Sequence, residues 1–232
     1  MTSKSPVRSC EDVDEAALSY AEVKALATGN PYIKEKMDLD IQVSKLKLMK
    51  ANHTSQKYRL EDNITQHYPH QIAIFKERIE GFTADMNKYA KNKPEDKEQF
   101  FMQVGGKSYT DKKEAGTAII AMCKEIKGIN ASADVGEYLG FKLNVTFDSF
   151  NNKFVMNVKG AMSHPMEVGA DPLGNITRIN NALEAMPAQL EEAQTKLSNV
   201  EHQLETARAE VNKPFAQEAE LSEKLDRLTA LN

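Results

Sequence analysis

Two long stretches of the chain repeat apolar residues at steps of three and four positions, the spacing of coiled-coil helices. In the C-terminal stretch the steps alternate without a break, and the stripe is Ile176, Ile179, Leu183, Met186, Leu190, Ala193, Leu197, Val200, Leu204, Ala207 and Val211. The N-terminal stretch contains Tyr68, Ile72, Phe75, Ile79, Phe82, Met86 and Tyr89, and Leu39, Val43 and Leu46 begin a similar stripe upstream. The pattern predicts two long helical arms that pair through an apolar seam.

The N-terminal stripe changes its spacing between its two parts. Leu60, Ile64 and Tyr68 follow one another at steps of four, a stutter that unwinds a supercoil locally. Pro69 and Pro187 also lie inside the two arms, and each removes one backbone donor. We therefore expect a kink or a short break near both prolines.

Between the arms the pattern changes to a period of two, which is typical of strands. Apolar Phe141, Leu143, Val145 and Phe147 alternate with polar residues, and a second run with Phe154, Met156 and Val158 follows the turn at 149–152. The two runs predict a β-hairpin with one buried face.

Shorter elements flank this hairpin. A strand at 100–104 is expected to turn through Gly105 and Gly106 into a strand at 107–109, and 164–168 is another extended stretch. Thr110 or Asp111 is expected to cap a helix of about 16 residues that ends at Gly128. One helix against three or four antiparallel strands makes an α+β unit of about 75 residues, near the lower size limit for independent stability.

The predicted fold class is α+β: a long antiparallel helical coiled-coil hairpin that carries a small antiparallel sheet and a helix at its tip. The arms carry opposite net charge, since 31–92 holds 11 basic and 8 acidic residues and 172–232 holds 6 and 10. The expected segments are 1–30, with a short helix packing at the base; 31–92, the first arm; 93–171, the tip domain; 172–212, the second arm; and 213–232, a C-terminal helix packing at the base.

Composition restricts the compartment and the chemistry. No apolar stretch approaches the ~20 residues that span a bilayer, and the N-terminus has no apolar signal core, so we expect a cytoplasmic chain without a membrane partner. Cys10 and Cys123 lack metal-site spacing, and Cys123 lies among apolar residues of the predicted helix. A buried thiol is therefore expected at Cys123. The net charge of -4 does not by itself favour nucleic acid.

Several short stretches carry a resemblance to a known family: LSYAEVKALATGNP at 18–31 with IKEK at 33–36, YTDKKEAG at 109–116, GNITRI at 174–179, and KPF at 213–215 before the leucine-rich final helix. Together they resemble the C-terminal region of large DEAD/DEAH-type helicase and adenine-specific DNA methyltransferase proteins of bacterial conjugative transposons, plasmids and phages. The resemblance implies helicase motifs and, in many members, a methyltransferase domain upstream. Neither motif set occurs in this chain.

Two short stretches resemble parts of nucleotide-binding and adenine-methylation motifs. Gly105, Gly106 and Lys107 resemble part of a phosphate loop, but the earlier glycine of that motif is replaced by Phe101, and a tight hairpin turn explains the glycines better. The stretch 30–32 lacks the second proline of the adenine-methylation motif and is better explained as a helix start, with Asn30 as N-cap.

Two histidines lie close enough in the sequence to suggest a metal site. His67 and His70 flank Pro69 without a third ligand at suitable spacing, which favours a solvated kink over a metal site. We therefore expect no catalytic residue, no cofactor and no metal ligand, and a chain that is not itself an enzyme.

One segment of the first arm indicates a binding surface. Between 43 and 59 there is no acidic residue, and the candidate nucleic-acid contacts are Lys45, Lys47, Lys50, His53, Lys57 and Arg59. Continuing the stripe places Lys50, His53 and Lys57 at seam positions, where ionisable groups are costly unless solvated or paired. Two interpretations stay open: these side chains reach water or the last helix's acids (Glu218, Glu220, Glu223), or they contact phosphates.

Two functions are consistent with the sequence. The chain is either an accessory module that contacts DNA, a partner protein or the upstream helicase domains of the same polypeptide, or a purely structural or oligomerising coiled coil without nucleic-acid binding.

Overall fold

The computed structural model describes residues 23–25, 27–29, 31–96, 98–126, 128 and 131–231. The described residues form two compact units. Unit 1 takes those of 1–67 and 204–232, and unit 2 takes those of 68–203. The expected short helix within 1–30 falls mostly outside the described residues, and so does Asn30, the expected N-cap of the first arm.

The chain combines long helices with an antiparallel sheet. The helices are α1 (Pro31–Asp62), α2 (Tyr68–Asn92), α3 (Lys112–Glu125), α4 (Pro172–Glu184), α5 (Met186–Val211) and α6 (Glu218–Ala230), with a π-helical segment, Asn63–His67, between α1 and α2. The strands are β1 (Met102–Val104), β2 (Lys107–Tyr109), β3 (Ser132–Tyr138), β4 (Phe141–Asp148), β5 (Lys153–Lys159) and β6 (Ser163–Val168). The expectation of mixed helix and sheet is confirmed.

All six strands belong to one antiparallel sheet in the order β2-β1-β3-β4-β5-β6. The hairpin predicted from the period-two pattern is β4–β5, where Phe147 lies opposite Phe154. Gly105 and Gly106 form the β1–β2 turn with φ of 58° and 76°, a left-handed conformation that glycine adopts at no steric cost. The predicted hairpin turn at these glycines is therefore confirmed.

One face of the sheet is buried by helices of the same unit. Alternate residues of the strands turn toward it, and the core includes Met102, Val104, Val135, Phe141, Leu143, Val145, Met156 and Val158. Helix α3 adds Ile119 and Cys123, and α4 adds Ile176, Ile179 and Leu183. Met86 and Tyr89 of α2 pack against the same core. The compact unit therefore takes in α2 and α4 as well as the sheet.

The prediction of three or four strands was wrong. Strand β3 was not predicted, because a bulge at Val135 and Gly136 shifts its register against β4. Its two well-buried apolar residues, Val135 and Tyr138, are consequently three positions apart. An odd separation breaks the alternation by which strands are found in a sequence.

Helix α3 is shorter than expected at its C-terminal end. Asp111 is its N-cap, with its side chain accepting a hydrogen bond from the backbone N–H of Glu114 at 2.9 Å, so one of the two expected caps is confirmed. The helix ends at Glu125 rather than near Gly128, because Ile126 has extended backbone angles and its side chain packs against the core.

A short break precedes Pro187, as predicted, whereas near Pro69 the helix is uninterrupted and changes from an α-helical to a π-helical pattern. The π-helical segment Asn63–His67 coincides with the stutter and ends two residues before Pro69. There the Thr65 hydroxyl donates to the Glu61 carbonyl oxygen at 2.8 Å, which helps to satisfy the widened turn. Ala185 separates α4 from α5, and Pro187 lies in the first turn of α5, where a missing N–H costs little.

In unit 1, helix α6 packs along α1. Leu221 is buried with Val43 and Leu46, and Leu225 and Leu228 pack beside them. Lys50 pairs with Glu218 at the start of α6, whereas Glu35 accepts two hydrogen bonds from Arg227 near its end, at 2.6 and 2.9 Å. The two helices are therefore antiparallel.

Shortening a side chain on the buried face of the sheet should strongly lower the stability of the protein. Leu143→Ala should destabilise the protein by about 2 to 5 kcal/mol, because the side chain is fully buried and leaves a cavity. Urea unfolding followed by circular dichroism measures this. Phe150→Ala is the control, since Phe150 is 94% exposed, and equal effects of both variants would contradict the assignment of the buried face.

Candidate nucleic-acid interface

The six candidate contact residues all lie in the middle of α1 (Pro31–Asp62). This part of the chain is helical because residues 41–60 contain no proline or glycine, and the same residues contain no Asp or Glu. Twenty residues of helix extend about 30 Å. The segment is therefore a basic rod without internal acidic partners.

Two of the candidates contact the C-terminal part of the chain. Lys50 Nζ lies 2.6 Å from Glu218 Oε1, and the His53 ring lies 5.8 Å from the Phe215 ring, centre to centre. Both are seam positions, on the side of α1 that buries Val43 and Leu46. Lys50 therefore pairs with an acidic residue of the last helix, one of the two interpretations left open by the sequence. Glu220 instead pairs with Lys224 within α6.

The remaining four cations are exposed. Lys57 Nζ is 3.9 Å from Glu61 Oε1, a long contact of the kind that contributes little at a surface. Lys45, Lys47 and Arg59 have no ion-pair partner among the residues that the structure describes.

Helix geometry separates these four cations into two pairs. At about 100° per residue, Lys45 and Arg59 lie within about 40° of one another around α1 and about 21 Å apart along it. Lys47 and Lys57 lie on the same side of α1 as Val43 and Leu46, which we call the inner side; α6 packs on this side as far as Lys50, and Lys57 lies about 10 Å beyond that point. Asn52 lies between Lys45 and Arg59 on the opposite side, and we call these three residues the outer face of α1. Two of the candidate cations thus share this face, about 21 Å apart, and the others do not lie on it.

The acidity of α6 makes the two sides of α1 unequal. Helix α6 carries four acidic and two basic residues, so the part of the inner side that it covers faces a net negative charge, and Lys50 pairs with Glu218 there. The charge on the outer face is not compensated in this way. An anion is therefore attracted more strongly to the outer face.

A buried polar cluster in unit 2 escaped the sequence analysis. Asp85 of α2 and His164 of β6 are about 1 to 2% exposed, and the distance from Asp85 Oδ2 to His164 Nε2 is 3.0 Å. The Asp85 carboxylate also accepts the N–H groups of Ala161 and Met162, at 2.6 and 2.8 Å. It joins α2 to the turn between β5 and β6.

The packing around this cluster indicates a structural role. The His164 ring contacts Phe82 and Phe141, and a side chain at Gly160 would overlap Asp85 Oδ1. Neither ionisable group reaches the surface, so a substrate has no access to them. Little in the sequence indicates this cluster. Asp85 directly precedes Met86, a residue of the apolar stripe, and His164 begins an extended stretch.

A second buried polar residue, Asn175, fixes the entry into α4. Its Oδ1 accepts from Gly169 N at 2.8 Å and from Arg178 Nη1 at 2.9 Å, and its Nδ2 donates to the Gly169 oxygen at 2.9 Å. Asp171 caps the same helix by accepting from Gly174 N at 2.8 Å. The stretch at 174–179, one of those that carry the family resemblance, thus contains residues that fix the start of α4.

The cysteine and the histidines that could have been reactive or metal-binding are explained by their surroundings. Cys123 is buried, as expected, and burial raises the pKa of its thiol to about 11, which keeps the sulfur protonated and unreactive. Among the described residues, no group of three His, Cys, Asp or Glu side chains could hold a metal ion, and His67 and His70 are exposed.

Comparisons with protein-family models, with curated proteins and with solved structures found no match to this chain. None of the helices in the described part of the chain is long and apolar enough to cross a membrane.

The buried carboxylate predicts a stability defect. Asp85→Asn should lower the free energy of unfolding by about 1 to 3 kcal/mol, because an amide nitrogen would face an N–H donor without an acceptor. Thermal and urea unfolding measure this. Glu77→Gln, on the exposed side of the same helix, removes an equal charge and should change stability by less than about 0.5 kcal/mol. Equal losses would contradict the role of Asp85.

Proposed function

We propose that the chain is a non-catalytic accessory module that contacts the nucleic-acid backbone, without reading sequence, through the outer face of α1. The observation that carries the proposal is the placement of Lys45 and Arg59. Both are exposed, both lack an ion-pair partner among the described residues, and both lie on the side of α1 away from the acidic helix α6. Asn52 between them adds a hydrogen-bond donor for a phosphate oxygen.

The number of contacts bounds the affinity. Two phosphate contacts give a salt slope of about -2 for duplex DNA, so binding should be weak and should vanish near physiological salt. Such a module would not hold DNA alone. It would add affinity to a larger protein that already holds DNA, because a tethered second contact forms at high effective concentration.

The resemblance to helicase and methyltransferase C-terminal regions suggests what that larger protein is. We propose that upstream helicase domains of the same polypeptide are the partner and that a mobile genetic element carries it. Sequencing the complete reading frame tests this context, since a frame without upstream helicase motifs would contradict it.

Within unit 2 we further propose that α2 and the helices α4 and α5 pair as an antiparallel coiled coil. Tyr89 packs against the cluster that contains Ile176. The pKa of Glu192 is lowered chiefly by its hydrogen bond to Lys196 and in smaller part by Arg78 of α2. Along α5, Ala193 is buried and Leu190, Leu197 and Val200 are half-buried, which is the spacing of a seam.

A substitution in this seam tests the pairing. Leu197→Asp should lower both helix content and melting temperature, because a carboxylate would enter an apolar contact. Circular dichroism measures both. Asn199→Asp, at an exposed position of α5, is the matched control. A melting temperature that fell equally in both variants would contradict a seam at Leu197.

A purely structural or oligomerising module is the alternative function. It is favoured by large apolar side chains exposed on α1, namely Leu48 at 63%, Tyr58 at 63% and Met49 at 39%. Such residues suit contact with another polypeptide better than contact with phosphate. Sedimentation of the chain at several concentrations would reveal an oligomer.

Paired charge reversals distinguish the two functions. Lys45→Glu/Arg59→Glu should abolish binding of a labelled duplex measured by fluorescence anisotropy at roughly 0.05 M salt, because both proposed phosphate contacts become repulsive. Lys47→Glu/Lys57→Glu changes the net charge equally on the inner side. It should weaken binding by less than about threefold, through long-range repulsion alone.

The same measurements can contradict the proposal. Equal losses in the two double variants would show that net charge, rather than the outer face, governs binding. No binding by the unaltered chain at low salt, together with a concentration-dependent oligomer, would favour the structural alternative. Circular dichroism of each variant verifies that α1 stays helical.

A further inference from the structure

A cleft of about 480 Å³ lies beside the sheet of unit 2, at the end of α2. It is bounded by the loop that leads into β1 and by the β3–β4 turn, and its lining includes Asn92, Gln99, Phe101, Gln103, Glu137 and Leu139. The volume lies within the range of small-ligand sites. The nucleic-acid proposal makes no use of it.

The turn that forms one wall is strained. Leu139 has φ of 49° and Gly140 has φ of 79°, so both central residues of the β3–β4 turn are left-handed. Glycine and asparagine favour such turns, whereas leucine at the first position costs energy. Leu139 packs against the core, which offsets this cost, and a side chain at position 140 would crowd the Asn92 amide. Glycine at position 140 thus suits both the turn and the approach of Asn92.

The polar groups of the cleft include one carboxylate and several other hydrogen-bond acceptors. The exposed Glu137 carboxylate has no ion-pair partner among the described residues. Asn92 donates its Nδ2 to the Lys88 carbonyl oxygen at 2.8 Å, which leaves its Oδ1 as an acceptor. The last carbonyl groups of α2 add the negative end of the helix dipole. Gln99 and Gln103 add amide oxygens.

The nearby cations whose side chains the structure describes do not line the cleft. Lys88 Nζ lies 5.4 Å from the centre of the Phe141 ring, and Lys93 Nζ lies 5.1 Å from that of Tyr89. Lys142 stands opposite Glu137 across the β3–β4 ladder, but its side chain lines the neighbouring depression. Among the described residues that line it, the cleft thus combines a carboxylate, acceptor oxygens and the 54% exposed ring of Phe101, with no cation.

We propose that this cleft binds an arginine side chain of a partner polypeptide. A guanidinium group is planar and carries a charge with five N–H donors, so it can pair with the Glu137 carboxylate and stack on the Phe101 ring. A lysine ammonium would use the charge but not the stacking. An anion would be repelled by Glu137 and by the end of α2.

Three small probes test the charge and the shape of the ligand. In two-dimensional NMR of the full chain, N-acetyl-arginine amide should shift the backbone amides around Gln103 and Gly140, with an affinity on the order of millimolar. N-acetyl-citrulline amide has the same shape without the charge, and N-acetyl-glutamate amide carries the opposite charge. Neither should cause these shifts. Equal shifts with citrulline, or none with arginine, would overturn the proposal.

Variants of individual residues test which side chains of the cleft bind the arginine probe. Glu137→Gln should weaken binding of the arginine probe about fivefold or more, and Phe101→Ala about threefold. Lys142→Gln removes a competing cation and should leave binding unchanged or stronger. Glu125→Gln, an exposed acid outside the cleft, controls for net charge and should have no effect. Weaker binding in Lys142→Gln, or equal loss in Glu125→Gln and Glu137→Gln, would contradict the site.

Discussion

The alternate residues of β4 and β5 are removed from water only because α2, α3 and α4 lie across the same face of the sheet. Phe141, Leu143 and Val158 are fully buried there, and burial of a side chain of this size contributes about 1.5 to 3 kcal/mol. The other face carries polar residues such as Lys142 and Lys159. A sheet covered on one side cannot be stable without its helices. For this reason α2 and α4, expected as arms beneath a separate tip domain, share one compact unit with the sheet.

Apolar burial does not by itself decide how these elements align, because it has no direction. Buried hydrogen bonds supply that direction. Asp85 joins α2 to the β5–β6 turn, and Asn175 joins the end of β6 to α4. An unsatisfied group at either place would cost more than the bond contributes. The two residues therefore specify the geometry of the core without adding much to its size.

Electrostatics on α1 depends on what packs beside it. Lys50 and Arg59 belong to the same acid-free run, yet Lys50 pairs with Glu218 while Arg59 has no ion-pair partner among the described residues. Because α6 lies along one side of α1, equal charges on one helix have different surroundings. The same reasoning applies in unit 2, where Glu137 contributes to an acceptor-rich cleft only because the strained turn at Leu139 and the end of α2 meet beside it.

Periodicity and turn chemistry in the sequence determined the local elements. Alternation of Phe141, Leu143 and Val145 indicated β4, and Asp111 indicated the start of α3. The stutter before Tyr68 indicated an irregularity in the helix, and the π-helical segment lies there. These signals depend on neighbouring residues, so they can be read along the chain. Strand β3 was missed because its bulge places Val135 and Tyr138 out of phase.

Only the tertiary structure decided which residues meet. Asp85 and His164 are 79 positions apart, and Lys50 and Glu218 are 168 apart. No local pattern relates such pairs, because their proximity results from packing of the whole unit. The basic run of α1 and its seam positions could be found in the sequence, but which of these cations meet an acid of α6 could not. That requires knowing which part of the helix α6 covers.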